Sequence, residues 1–353
     1  MTPASPLTRR ALTFALALAG AVVFSAGHLP LPFLFGPMAA CLLAALMGLP
    51  LLGMGVISVA MRTVLGVAVG ASVTPDVIAR LPQMAVSVAF IPVYIFLIGL
   101  VGVPFFRRIC GYDWPTAWYA SMPGGLQDMI IFGADAGGNP RALSLIHATR
   151  VLIIITLAPA ILTKGFGYTL TNPIGTPAAS LPVHEMIIMT AAALIGWKGG
   201  ERIGLFGASI LGPMILTGAL SLAGFIHFRP PAEAILGAQF FIGIGIGVGY
   251  VGITLAELRR DVLAGVWFVL ILAILAAVFT EIVVFFELAR PVDGFLAFSP
   301  GGQAEMTVLA IVAGADLGYI IVHHLARVLI VITGAPVAAR LLGVGRKGKE
   351  GRQ

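Results

Sequence analysis

The chain alternates long apolar runs with short polar segments. About twelve apolar runs of 16 to 25 residues follow one another, and a helix needs about 20 apolar residues to cross a bilayer. The pattern therefore predicts an all-α polytopic membrane protein. The predicted membrane segments are residues 11–28, 33–53, 55–73, 83–105, 115–135, 142–163, 184–199, 203–226, 234–252, 262–286, 296–313 and 319–341.

Composition narrows the class of protein further. Hydrophobic residues make up 59% of the 353 residues and charged residues 10%, whereas a soluble chain carries about 25% charge. The mean hydropathy is +1.03. These values exclude an ordinary globular enzyme, and they exclude a disordered chain, which needs low hydrophobicity and high charge.

The basic residues indicate a membrane surface and not a nucleic acid. The formal charge is +6, but the cations lie scattered at the ends of apolar runs, as anchors of cytoplasmic loops do. Arg9 and Arg10 precede the first run, which we interpret as a retained transmembrane helix and not a signal peptide. Cys41 and Cys110 are isolated, so neither a disulfide framework nor a metal site is expected.

The two halves of the sequence resemble each other. Pro-Gly-Gly at 123–125 recurs at 300–302, an offset of 177 residues. When residues 123–159 are compared at this offset without gaps, 15 of the 37 positions are identical. Gly-Pro-Met at 36–38 recurs at 212–214. Shared hydrophobicity alone would not align such motifs, so we infer a duplication. The predicted domains are a first membrane repeat (1–163), a linker (164–183), a second membrane repeat (184–341) and a basic cytoplasmic tail (342–353).

Charge placement favours inverted repeats. If all twelve segments cross the membrane, the repeats are parallel and the N-terminal side carries 12 basic residues against 6 opposite. If each Pro-Gly-Gly segment is instead a re-entrant hairpin, the count becomes 14 against 4, with three arginines inside the membrane. The second arrangement follows the positive-inside rule better. It predicts about ten transmembrane helices, two interrupted segments and cytoplasmic termini; twelve crossings are the alternative.

The Pro-Gly-Gly motifs are the first candidates for chemistry. Proline lacks the N–H and glycine adds backbone freedom, so both motifs should interrupt a helix. Freed backbone groups at membrane depth are tolerated only inside protein or beside a wet cavity. A carboxylate follows each break at Asp128 and Glu305, where it either caps a helix or contributes to a substrate or ion site.

A histidine and an arginine recur beyond each break. His147 and Arg150 share one helix face, as do His324 and Arg327. A buried arginine needs a polar partner, and Asp128 or Glu305 is the expected one. These pairs either fix the fold as buried salt bridges or contact an anionic or zwitterionic solute, with a histidine titrating near neutral pH.

These observations define a candidate substrate- or ion-binding site. Its residues are Pro123, Gly124, Gly125, Gln127, Asp128, His147, Arg150, Pro300, Gly301, Gly302, Gln303, Glu305, His324 and Arg327.

Other motifs suggest packing and not catalysis. Gly66 and Gly70, and the alternating glycines of 243–249, lack the strand context of a nucleotide fingerprint and favour close helix packing. Arg62 and its repeat counterpart Gln239 are candidate polar contacts of low specificity. No metal site or catalytic triad is assembled, so we expect neither an enzyme nor a cofactor.

Four motifs in order resemble the bacterial AbrB membrane-protein family. They are the early Gly-Pro-Met, the stretch 65–82 (LGVAVGASVTPDVIARLP), MPGGLQDM with HATRVLIII, and SPGGQAEM with HHLARVLIV. The resemblance covers nearly the whole chain and implies the duplicated module. Members carry the labels ammonia monooxygenase or regulator of gene expression. The first label implies copper ligands, which the scattered histidines do not supply.

The Pro-Gly-Gly motif is also similar to the broken helix of bile-acid-type sodium symporters. Gln127-Asp128 departs from the Ser-Asn of that family, so neither sodium nor bile acid is inferred from it. That broken helix crosses the membrane, which conflicts with a re-entrant segment.

Together these observations predict a secondary transporter in the bacterial inner membrane. The expected partners are a small anionic or zwitterionic solute, H⁺ or Na⁺, the lipid bilayer and, as a possibility, a second copy of the chain. The alternative is an AbrB-type membrane regulator of gene expression without transport activity.

Overall fold

Helices joined by short turns make up the part of the chain that the structure describes. The structure is a computed structural model, and it describes residues 5–29, 31–205 and 207–344, without the side chains of Gln127 and Ala304. No strand occurs among these residues. The helices are α1 (Pro6–Ala26), α2 (Pro32–Leu46), α3 (Val56–Gly70), α4 (Pro75–Pro104), α5 (Trp114–Ser121), α6 (Leu126–Asp135), α7 (Pro140–Ala160), α8 (Val183–Arg202), α9 (Ala208–Leu222), α10 (Ala232–Val248), α11 (Leu255–Glu257), α12 (Leu263–Phe285), α13 (Pro291–Phe298), α14 (Gln303–Ala313) and α15 (Leu317–Leu341).

Four of these helices continue into, or are preceded by, a π-helical turn. The π-helical turns are Phe105–Ile109, Ile161–Gly165 and Leu258–Val262. They extend α4 and α7 and join α11 to α12. Five helical stretches are long and apolar enough to cross a bilayer: Pro6–Ala26, Pro75–Ile109, Pro140–Gly165, Leu255–Phe285 and Leu317–Leu341. The all-helical class is thus confirmed, and these five stretches are consistent with a membrane protein.

Each predicted membrane segment coincides with a helix or, at two of them, with a pair of short helices. The boundary was wrong at 33–53, because α2 ends at Leu46. Gly48 has a φ of 81° and Pro50 follows two residues later, so the chain turns after Leu46 although its residues stay apolar. The predicted basic tail lies outside the described residues from position 345 onward.

The helices form two compact units. The first comprises residues 1–81, 159–253 and 304–318, and the second comprises 82–158, 254–303 and 319–353. Each unit takes segments from both halves of the sequence.

Glycines bring helices of the first unit into close contact. A Cβ at Gly66 would overlap the carbonyl oxygen of Ile210 in α9, and a Cβ at Gly243 would overlap that of Leu34 in α2. Only glycine permits such an approach. The packing interpretation is therefore confirmed for Gly66 and Gly243, whereas Gly245 of the same series has open space where a Cβ would lie.

Aromatic rings fill the centre of the second unit. The ring of Tyr94 lies 5.0 Å from that of Phe279, and Phe279 lies 5.6 Å from Phe298, centroid to centroid. Phe106 lies 4.7 Å from Phe268 in the same way. This core fixes α4 and α12 against α13, the helix that leads into the second Pro-Gly-Gly motif.

Candidate functional site

Both Pro-Gly-Gly motifs interrupt a helix, as predicted. In the first half α5 ends at Ser121 and α6 begins at Leu126. In the second half α13 ends at Phe298 and α14 begins at Gln303. Four non-helical residues therefore separate the short helices in each case, and the carbonyl groups of Met122 and Gly124, like those of Ser299 and Gly301, accept from a side chain and not from a helical N–H.

Arg150 reaches the first break from α7. Its guanidinium donates hydrogen bonds to the carbonyl oxygen of Met122 (3.3 Å) and to that of Gly124 (2.8 Å). The residue is 3% exposed. One side chain thus satisfies two of the carbonyl groups that the break has freed.

Arg327 makes the equivalent contacts in the second half. From α15 it donates to the carbonyl oxygen of Ser299 (2.7 Å) and to that of Gly301 (3.0 Å), and it is 2% exposed. All three residues lie 177 positions beyond their counterparts. The same bracing arrangement therefore occurs twice.

These backbone contacts stand beside the expected pairing of each arginine with Asp128 or Glu305, which stays a prediction. The hydrogen bonds of Arg327 end on backbone oxygens, and so do those described for Arg150. A buried carbonyl without a donor is costly, and the planar fork of a guanidinium reaches two acceptors at once. Sequence reasoning considered only side chains with a formal charge as partners and overlooked the partial negative charge of the backbone carbonyl oxygens.

The two histidines brace the short helices that precede the breaks. The Nε2 atom of His147 lies 3.1 Å from the carbonyl oxygen of Tyr119, and that of His324 lies 2.9 Å from the carbonyl oxygen of Leu296. Because a carbonyl only accepts, Nε2 must carry the proton in each ring. Both rings are fully buried. Each histidine and its arginine thus hold one interrupted segment together.

The two carboxylates lie in the first turns of α6 and α14. Asp128 and Glu305 are half-buried, and an Asp128 carboxylate oxygen occupies the space where a Cβ at Gly125 would be. Gly125 therefore allows Asp128 to fold back over the break. An acid in the first turn also complements the helix dipole.

The structure adds Tyr94, which sequence reasoning missed. Its O–H donates to the carbonyl oxygen of Phe298 (2.8 Å), the last residue of α13. Tyr94 is fully buried and lies within electrostatic reach of both Arg150 and Arg327. The available signal was a tyrosine in an apolar helix, since a buried phenol needs an acceptor.

His323 has a separate set of contacts from its neighbour His324. Its ring nitrogens lie 2.8 Å from the carbonyl oxygen of Tyr319 and 3.0 Å from the hydroxyl of Ser87. The two adjacent rings thus face different directions from the same helix. Among the described residues, no three His, Cys, Asp or Glu side chains are grouped so that they could hold a metal ion.

Comparison with known proteins gives a family. The family model described as "Transition state regulatory protein AbrB" matches residues 33–343. The chain belongs to the AbrB family. The matched range contains both breaks, both arginines and both histidines.

Two bacterial proteins are similar in sequence to this chain. The chain is 24% identical over 345 residues to a protein of Escherichia coli (strain K12) named "Putative regulator AbrB", covering 96% of this chain and 97% of that one. It is 25% identical over 300 residues to YhjN of Bacillus subtilis (strain 168), covering 80% and 77%. No solved structure matches the chain.

Proposed function

We propose that this AbrB-family protein is a secondary transporter of a small anionic or zwitterionic solute in the bacterial inner membrane, driven by H⁺ or Na⁺. The observation that carries the proposal is the pair of interrupted helices, each braced by a buried arginine. Discontinuous helices are how many secondary transporters build a midplane binding site. Broken backbone of this kind needs surrounding protein or a wet cavity.

Electrostatics favours an anionic group on the solute. Arg150 and Arg327 each bring a positive charge to the backbone of a break. The first turns of α6 and α14 add the partial positive charge of a helix N-terminus. Asp128 and Glu305 then suit an ammonium group of a zwitterion, a coupling proton or a sodium ion.

We also propose two inverted repeats with about ten crossings. One contact in the first unit supports this arrangement: Asn172 donates to the carbonyl oxygen of Val312 from its backbone and from its side chain, both at 3.2 Å. Asn172 lies in the linker and Val312 at the end of α14. Twelve crossings would put them on opposite sides of the membrane, whereas re-entrant segments put them on the same side.

A second contact pair agrees with inversion. Arg9 donates to the carbonyl oxygens of Pro50 (2.9 Å) and Leu51 (3.0 Å). At the corresponding place in the second half, Glu185 accepts from the backbone N–H groups of His227 (3.0 Å) and Phe228 (3.2 Å). A cation thus binds backbone carbonyl groups in the first half, where an anion binds backbone N–H groups in the second half. Opposite sides of the membrane would explain this difference through the positive-inside rule.

Cysteine labelling tests the topology. Single cysteines at Thr169 and Ala315, on a background with Cys41→Ser and Cys110→Ser, would be treated with a membrane-impermeant maleimide in intact cells and in inverted vesicles. Inverted repeats predict that both sites are labelled from the same, outer side. Labelling from opposite sides would refute the proposal, and Leu341→Cys serves as the cytoplasmic control in either arrangement.

Transport is tested with purified protein. A panel of labelled monocarboxylates, dicarboxylates and amino acids would first be scored for thermal stabilisation, and the stabilising members for uptake into proteoliposomes under imposed H⁺ or Na⁺ gradients. Asp128→Asn and Glu305→Gln should abolish uptake, while Asp76→Asn, an exposed first-turn acid of α4, should not. Uptake that survives both site variants would refute these roles.

The second candidate function is that of a membrane regulator of gene expression. The observation that favours it is the name of the family model and of the relative from Escherichia coli. Transcript profiles of a deletion strain, complemented with wild type or with Asp128→Asn, separate the two functions. Full restoration by a variant that folds but does not transport would favour the regulator.

A further inference from the structure

Two pairs of adjacent arginines end the most apolar helical stretches of the second unit. Arg107 and Arg108 lie at the end of Pro75–Ile109, and Arg259 and Arg260 lie near the start of Leu255–Phe285. All four side chains are exposed, and each pair occupies a π-helical turn. We call these four residues the arginine cluster.

Side-chain contacts of Tyr112 and Trp114 link the two segments that carry these pairs. The Tyr112 O–H donates to the buried carboxylate of Asp261 at 2.5 Å, which joins the turn after α4 to the start of α12. The Arg260 guanidinium lies 4.5 Å from the centroid of the Tyr112 ring, and that of Arg107 lies 5.1 Å from the Trp114 ring. The turn 112–114 is therefore in contact with both pairs.

The nearby carboxylates have hydrogen-bond or ion-pair partners outside this cluster. Asp113 accepts from Thr116 through both oxygens, and Asp261 accepts from Tyr112. Glu257 pairs with Arg141 at 2.9 Å. Among the described residues, no carboxylate lies within ion-pair distance of any arginine of the cluster.

Exposed apolar side chains surround these charges. Ile109 is 77% exposed, Leu255 62% and Trp267 56%, and they lie on the same two helical stretches as the arginines. A site for a soluble anion gains nothing from such surroundings, whereas a lipid brings acyl chains together with its phosphate. Basic clusters at the ends of membrane helices attract anionic head groups.

We propose that the arginine cluster binds the phosphate group of an anionic phospholipid at the membrane surface. Arg107 and Arg260 are oriented by their aromatic contacts, and Arg108 and Arg259 complete the positive charge. The site is independent of the two breaks and does not require the transport function.

The test is a titration of the detergent-purified, delipidated full-length protein with fluorescent phosphatidylglycerol in phosphatidylcholine mixed micelles. The variant Arg108→Gln/Arg259→Gln removes two charges and keeps both aromatic contacts. We expect affinity to fall about thirtyfold, which corresponds to about 1 kcal/mol for each arginine. The matched control Lys164→Gln/Arg202→Gln removes two exposed cations elsewhere and should change affinity less than twofold.

Each outcome decides the proposal. Unchanged binding by the cluster variant, or equal losses in cluster and control variants, would overturn it. Displacement of the lipid by glycerol phosphate at the lipid's own concentration would overturn the lipid as ligand in favour of a soluble phosphate. Arg108→Lys/Arg259→Lys keeps the charge and should retain binding. Size-exclusion profiles of all variants without lipid establish that they fold.

Discussion

Replacing Arg327 by lysine tests the idea that the arginines hold the breaks together. Arg327 spans the carbonyl oxygens of Ser299 and Gly301, at 2.7 and 3.0 Å. The compact ammonium of lysine keeps the charge but lacks the planar fork needed to serve both acceptors. One hydrogen bond to a charged donor is therefore lost and one buried carbonyl is left without a partner, at a cost of about 1.5 to 3 kcal/mol.

Hydrogen exchange measures this cost locally. If the break opens and recloses quickly, its amide hydrogens exchange in proportion to the open population. A loss of about 1.5 to 3 kcal/mol raises that population about 13-fold to 160-fold. Mass spectrometry of peptides covering 296–306 should show this acceleration in Arg327→Lys, and peptides covering 120–130 should not change.

The chain provides its own reciprocal control. Arg150→Lys should accelerate exchange around the first break and leave the second unchanged, because each arginine serves its own break. Arg340→Lys, an exposed arginine at the end of the same helix as Arg327, should affect neither. Unchanged exchange in both variants, or equal acceleration at both breaks in each, would refute the bracing role.

Two further predictions concern packing and the site. Gly243→Ala should lower the thermal unfolding midpoint, because its Cβ would overlap the carbonyl of Leu34, whereas Gly245→Ala has open space and should not; overpacking of this kind costs about 1 to 3 kcal/mol. Equal midpoints for the two variants would contradict the close approach of α10 to α2. Tyr94→Phe removes the hydrogen bond to the buried Phe298 carbonyl and should cost about 1 to 3 kcal/mol, measured as faster exchange at the end of α13; wild-type exchange there would show that the bond contributes little.

The helical breaks could be predicted from the sequence, but the partners of the arginines could not. Pro-Gly-Gly disrupts a helix wherever it falls, since proline lacks a donor and glycine adds freedom. Which atoms Arg150 meets depends on how α7 lies against the first break. A sequence displays formal charges such as Asp128, whereas the carbonyl groups of Met122 and Gly124 look like those of any other residue.

For the glycines, too, the sequence predicts that a close contact forms but not which helix it involves. The glycines of α3 and α10 indicate close contacts by their spacing. In the structure α3 contacts α9, and α10 contacts α2, so both contacts join helices from different halves of the sequence. The glycine spacing does not specify these partners. That choice is made by the shapes of whole helices and not by any local pattern.

By itself the sequence determined the all-helical membrane class, the positions of the interrupted helices and the residues that recur across them. Each follows from local physics: apolar length, backbone chemistry or identity of side chains. Only the tertiary structure decided that Arg150 and Arg327 bind backbone oxygens, that Tyr94 contacts the end of α13, and that Tyr112 contacts Asp261 and Arg260 and so links the two segments that carry the arginine pairs. Those contacts join segments far apart in the chain, and their energies depend on burial and distance, which exist only after folding.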